Sequence, residues 1–168
     1  MKCQLIRLAA CAALFCTSQL VFSAEPAGVL PKGADGKPLN LDFEQGSLKD
    51  WTANGDAFEK QPIKGDTVSP RRNDMKSQHQ GDYWIGTYEN GRGDKAQGTL
   101  TSAPFKVEYG WASFLIGGGS QAKTKVELVL KEGESERVVF RASGQDSENL
   151  RPSDQHLFRS LLAVGAAT

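Results

Sequence analysis

The chain has 168 residues, with 20 Lys and Arg against 20 Asp and Glu. That length suits one domain with its own core and is short for two. The balanced charge excludes binding of nucleic acid by bulk electrostatics, so no nucleic-acid partner is expected.

Residues 1–24 have the three parts of a secretory signal peptide. Lys2 and Arg7 form a positive start, residues 8–16 are apolar and uncharged, and Val21 and Ser23 stand at −3 and −1 of a cleavage after Ser23. The expected location is therefore periplasmic or extracellular. The apolar run falls short of the roughly 20 residues a membrane span needs, and Thr17, Ser18 and Gln19 interrupt it, so no stable span is expected after cleavage. Cys11 follows a lipoprotein-like Leu8-Ala9-Ala10, but Arg7 breaks the short stretch before it, so lipidation is not expected. Cleavage removes Lys2, Arg7 and all three cysteines, Cys3, Cys11 and Cys16. The exported chain then carries a net charge of −2, from 18 basic and 20 acidic residues, with no disulfide, thiol nucleophile or cysteine metal ligand.

Residues 25–38 are rich in Pro, Gly and Ala and read as a linker. A β domain is expected over 39–152, with strands at 39–44, 50–53, 57–63, 83–88, 98–101, 105–107, 111–117, 123–131 and 137–142. Val126, Leu128 and Leu130 alternate with Lys125, Glu127 and Lys131, the period-two pattern of a half-buried strand. Val138, Phe140 and Ala142 alternate with Arg137 and Arg141 in the same way. Residues 111–116 are continuously apolar, as in a strand covered on both faces. Many short strands separated by Gly, Asn, Asp and Pro predict an all-β, antiparallel β-sandwich. Residues 64–80 form a long aperiodic loop. Residues 153–168 form an atypical tail, with a short helix predicted over 156–167.

Trp84 and Tyr88 fall on one face of the predicted strand 83–88, with Gly86 between them. Two flat rings flanking a bare position would make a platform for a sugar ring, although aromatics also dominate cores. Arg71 and Arg72, with Lys76, could grip an anion through their forked donors, or simply be solvated. His79 stands alone, too little for a transition-metal site. Arg92-Gly93-Asp94 spells a cell-attachment tripeptide but lies among turn formers, and a hairpin turn is expected there. The run Gly117-Gly118-Gly119 lacks the pattern of a phosphate cradle and is expected to let the backbone leave a sheet. Glu44, Asp146 and Glu148 could supply oxygens to a structural calcium, with Glu44 the weak candidate. No other cofactor is expected. No Ser-His-Asp set, defensible carboxylate pair or haem-attachment motif is legible, so no catalytic residue is expected.

Three segments carry a resemblance: GTLTSAPF at 98–105, FLIGGG at 114–119 and SENLR at 147–151. Together with LDFEQGSLKDW and QGDYWIG, they make residues 39–152 similar to a lectin-like β-sandwich domain of large exported planctomycete-type proteins that also carry cytochrome-c-type domains. A similar domain accompanies the catalytic part of some secreted fructan hydrolases of glycoside hydrolase family 32. The resemblance implies a jelly-roll domain of galactose-binding or concanavalin-like type. Its implied role is to bind a glycan, or another domain of a larger exported protein, without catalysis. Such domains continue past the SENLR segment through further strands and close with a Gly-Trp-Gly-His-like run. The likeness here stops near Pro152, so the sandwich is expected to be incomplete and the chain to be a truncated form. An absent last strand would leave an open edge beside 39–44 and take a ligand from any calcium site it shares with the first strand.

Overall fold

The computed structural model describes residues 28–156, with side chains as far as Ser153. The expected signal peptide, the start of the expected linker and the helix expected over 156–167, save its first residue, lie outside the described residues. Among the described residues eight strands form: β1 (Trp51–Gly55), β2 (Ile63–Lys64), β3 (Tyr83–Trp84), β4 (Gly98–Ser102), β5 (Trp111–Gly118), β6 (Val126–Glu132), β7 (Ser135–Ala142) and β8 (Ser147–His156). Two 3-10 turns, Thr87–Asn90 and Gly93–Lys95, join β3 to β4.

The strands pair antiparallel as four two-stranded ladders, β1–β4, β2–β3, β5–β8 and β6–β7. The order is nested twice: β1 and β4 enclose the short β2–β3 pair, and β5 and β8 enclose the β6–β7 hairpin. The all-β expectation holds, but the ladders remain separate sheets. Several predicted strands are not extended. Residues 39–44 fold into turns, with Phe43 at φ 64°, and 105–107 join no ladder. Of 57–63 only the end is strand, and Lys60 stands at φ 60°.

The β6–β7 hairpin follows its alternation. Gly133, at φ 62°, makes the tight turn between Glu132 and Ser135. A bulge then alters the expected faces. Leu128 pairs with Phe140 but Val129 pairs with Val138, which leaves Val139 as the extra residue. Val138 therefore leaves the face of Phe140 and joins Val129 on the exposed side, with the cross-strand ion pairs Glu127–Arg141 (2.6 Å) and Lys131–Glu136 (2.7 Å). Phe114 of β5 meets Phe140 edge to face at 5.5 Å, which joins the two nested ladders. As expected of the glycine run, β5 departs from regular pairing between Ile116 and Gly118.

β8 runs into the first residues of the segment expected as a tail. Residues 147–156 are a strand on β5, with Trp111 opposite His156 and Ile116 opposite Arg151. Its polar sequence carries no apolar alternation, so the pairing rests on backbone hydrogen bonds, to which Pro152, opposite Leu115, contributes no donor.

The core of the described residues is small and half polar. Leu39, Ala57, Val68 and Trp84 are its buried apolar residues, and Asn40, Ser77, Asn90 and Ser147 are buried with them. Asn40, 1% exposed, donates to the Ser47 carbonyl (2.8 Å) and accepts from the Gln45 amide (3.1 Å). Its backbone amide donates to Asp50 (2.9 Å), and its carbonyl accepts from the Trp51 indole (2.8 Å). Phe43 stacks on Trp51 at 5.0 Å, so Asn40 holds the turn that delivers β1. Asn90 does the same for the second turn region, donating to the Asp56 and Ala57 carbonyls at 3.1 and 3.2 Å. Asn40→Ala removes the side-chain bonds to the Ser47 carbonyl and the Gln45 amide from a buried position, and urea unfolding is expected to show a loss of about 2 kcal/mol.

Candidate functional site

Residues 64–80 form a strap fastened to β8. Asp66 accepts from the Val68 amide (2.9 Å), the Ser69 hydroxyl and amide, and the Ser77 amide (3.2 Å). These bonds, the Ser69 hydroxyl foremost, hold the Asp66 carboxyl well below its usual range. The turn they stabilise continues with the Arg71 and Arg72 amides donating to the Val68 carbonyl at 3.0 and 2.9 Å, and so projects both arginines. The far end is tied by Lys76 N to Asn149 Oδ1 (3.0 Å) and Leu150 N to the Ser77 carbonyl (2.9 Å).

Between these ties lies a charged network. Glu148 accepts from Arg71 and, at 3.0 Å, from Arg72. Arg71 also donates to Glu89 (2.7 Å), and Arg72 meets Asp74 through two nitrogens at 3.0 and 2.8 Å. The arginines lower the Glu148 and Asp74 carboxyls, with Arg71 the larger influence on Glu148. The Arg71 guanidinium stacks over the Tyr88 ring at 4.7 Å. Arg71, Tyr88, Glu89, Gly91 and Gly93 line an open recess of about 300 Å³. A second crevice, of about 80 Å³, lies beside Ile116 and Gly144.

The sequence candidates are thus regrouped. β3 ends at Trp84 and Tyr88 sits in a 3-10 turn, so strand alternation never places the two rings on one face. Trp84 is buried, donates its indole N–H to the Gly65 carbonyl (2.8 Å) and stacks on His79 at 6.0 Å. Its ring also lies against Gly86, where a Cβ would come within 2.7 Å of it. Tyr88 stays 47% exposed and gains Arg71 as its neighbour. Arg71 and Arg72 already hold carboxylates, so the expected anion grip meets occupied forks. Glu89, the new member of the group, had no signal beyond its place next to Tyr88.

The three calcium candidates take other partners. Glu44 accepts from the Asp82 and Tyr83 amides at 2.9–3.1 Å, which lowers its carboxyl; Asp146 accepts from Ser120, and Glu148 from the arginines. Among the described residues no group of three or more His, Cys, Asp or Glu is placed to hold a metal, and no helix is long and apolar enough to cross a membrane. Arg92 pairs with Asp56 at 3.0 Å, and the Arg92-Gly93-Asp94 run lies in a 3-10 turn, not in a hairpin.

Compared with known proteins, the chain is 29% identical over 104 residues to an Aspergillus rugulosus protein described as "Putative glycosyl hydrolase ecdE". The match takes in 62% of this chain and 14% of that protein's length. The relation is distant and partial, and it supports the hydrolase side of the sequence resemblance only. No family model and no solved structure matches.

The network makes stability depend on acid. Glu148 and Asp74 have folded pKa values below their unfolded ones, so their contribution is complete above the usual carboxylate range, about pH 4, and is lost as pH falls through the lowered folded values. Thermal melts are expected to fall from pH 5 toward pH 2, and Glu148→Gln is expected to lower Tm at pH 7 and flatten that decline.

Proposed function

We propose that this chain is an exported, non-catalytic binding module of β-sandwich type, whose ligand is a glycan and whose site is the Tyr88 recess. The carrying observation is the pairing of an exposed aromatic, Tyr88, with side chains held in place by ion pairs, Arg71 and Glu89. A sugar offers a ring face with C–H groups and a rim of hydroxyls, and such a recess meets both needs. The likeness to a small part of a much longer protein described as a glycosyl hydrolase supports an accessory role within a larger exported protein. A glycan array read with the purified chain tests this proposal. Tyr88→Ala is expected to abolish the hits while leaving the melting curve in place, and no glycan is expected to be hydrolysed. Trp84→Ala acts differently, costing about 3–5 kcal/mol of stability as a buried ring is lost. An array without hits overturns the reading.

A second reading is a structural or interaction domain, part of a larger exported hydrolase or cytochrome-c-type protein. The exposed Val129–Val138 pair and the exposed Tyr109 and Trp111 favour it. It predicts self-association of the isolated chain in sedimentation, where the binding-module reading expects a monomer.

A further inference from the structure

We propose that the Tyr88 recess selects uncharged sugars and rejects uronate or sulfated ones; this rests on the glycan-binding reading above. Basic residues around a sugar site ordinarily suggest an acidic ligand, and Arg71, Arg72 and Arg92 stand at or beside this recess. Each is already spoken for. Arg71 holds Glu89 and Glu148, Arg72 holds Glu148 and Asp74, and Arg92 holds Asp56. Three guanidiniums therefore face four carboxylates, an excess of one negative charge, and neighbouring Asp94 and Lys95 offset each other.

An anionic ligand would have to displace a carboxylate from Arg71. Glu89 and Glu148 sit in the 3-10 turn and in β8 with side chains only 12% and 24% exposed, so an incoming anion would exchange a bond that Arg71 already makes. A neutral sugar needs no such exchange. Charged acceptors with fixed positions bind hydroxyls well, since each carboxylate retains lone pairs beyond those Arg71 uses. The stacked guanidinium covers one side of Tyr88, while Gly91 and Gly93 leave the rim of the recess without side chains. The arginines thus act as scaffold for the carboxylates and the ring.

The test is a pair of titrations by calorimetry on the full chain. Neutral cello-, xylo-, manno- and fructo-hexaoses are each titrated, and so are their carboxylated and sulfated derivatives, whether or not the neutral form binds. The neutral form is expected to bind at least about fivefold more tightly, the scale of one unit-charge interaction near 4 Å in a water-like medium. Raising ionic strength from about 20 mM to about 500 mM is expected to narrow that ratio by screening. Glu89→Gln, which removes one negative charge, is expected to narrow it at low salt. Equal or tighter binding of the anionic forms overturns the selectivity while leaving glycan binding in place. A ratio insensitive to both salt and Glu89→Gln overturns its electrostatic cause. If no hexaose binds in either form, the glycan-binding reading falls and this inference with it.

Discussion

The Glu148 carboxylate, held between Arg71 and Arg72, joins the two halves of the chain's long-range order. A lone surface ion pair contributes little, because two mobile side chains must be immobilised for a screened attraction. Here the immobilisation is shared. Residues 148, 149 and 150 each engage the strap in succession, by ion pairs, by the Asn149 side chain and by the Leu150 amide. Each tie lowers the entropic cost of the next, so a polar loop stays in place over a strand that has few apolar side chains of its own. The same grip aims Arg71 at Tyr88, and so supplies the strap's side of the recess.

The rest of the fold relies on the same kind of constraint. With few apolar residues fully buried, directional bonds from Asn40, Asn90 and Asp66 define turns that apolar packing alone would leave loose. Buried amides carry a large penalty if left unpaired, so these turns are specified by what would be lost on opening them. Apolar contact is mostly between near neighbours, Phe43 on Trp51 and Trp84 on Gly86 and His79, while Phe114 on Phe140 joins two ladders. The Val139 bulge shows the limit of alternation, since one extra residue sends Val138 to the exposed face.

These constraints bear on the proposed role. The recess is carried by connecting segments, the strap and the 3-10 turns, on a frame of ladders, an arrangement in which ligand contacts can vary without disturbing strand pairing. The charge pattern around it arises from structural ion pairs, so residues that look like ligand-seeking cations in the sequence serve to fix carboxylates and an aromatic ring.

β6 and β7 were legible in the sequence because side-chain alternation is a property of neighbours two residues apart, β5 as a continuous apolar run, and β1 and β4 as short runs between turn formers. β8 was not, since Ser147–His156 is polar and its strand state comes from the backbone of β5. Tyr88, Arg71 and Arg72 were legible as candidates by residue type alone. Their surroundings were not: Arg71 and Glu148 lie 77 residues apart, and no local pattern records that they meet. Trp84 and Tyr88, four residues apart, were separated when the strand gave way to a 3-10 turn, one ring going to the core and the other to the recess. The sequence by itself determined the β-rich composition and the chemistry available. Only the tertiary structure decided which charges cancel and which ring stays exposed, because burial and ion pairing depend on segments brought together from far along the chain.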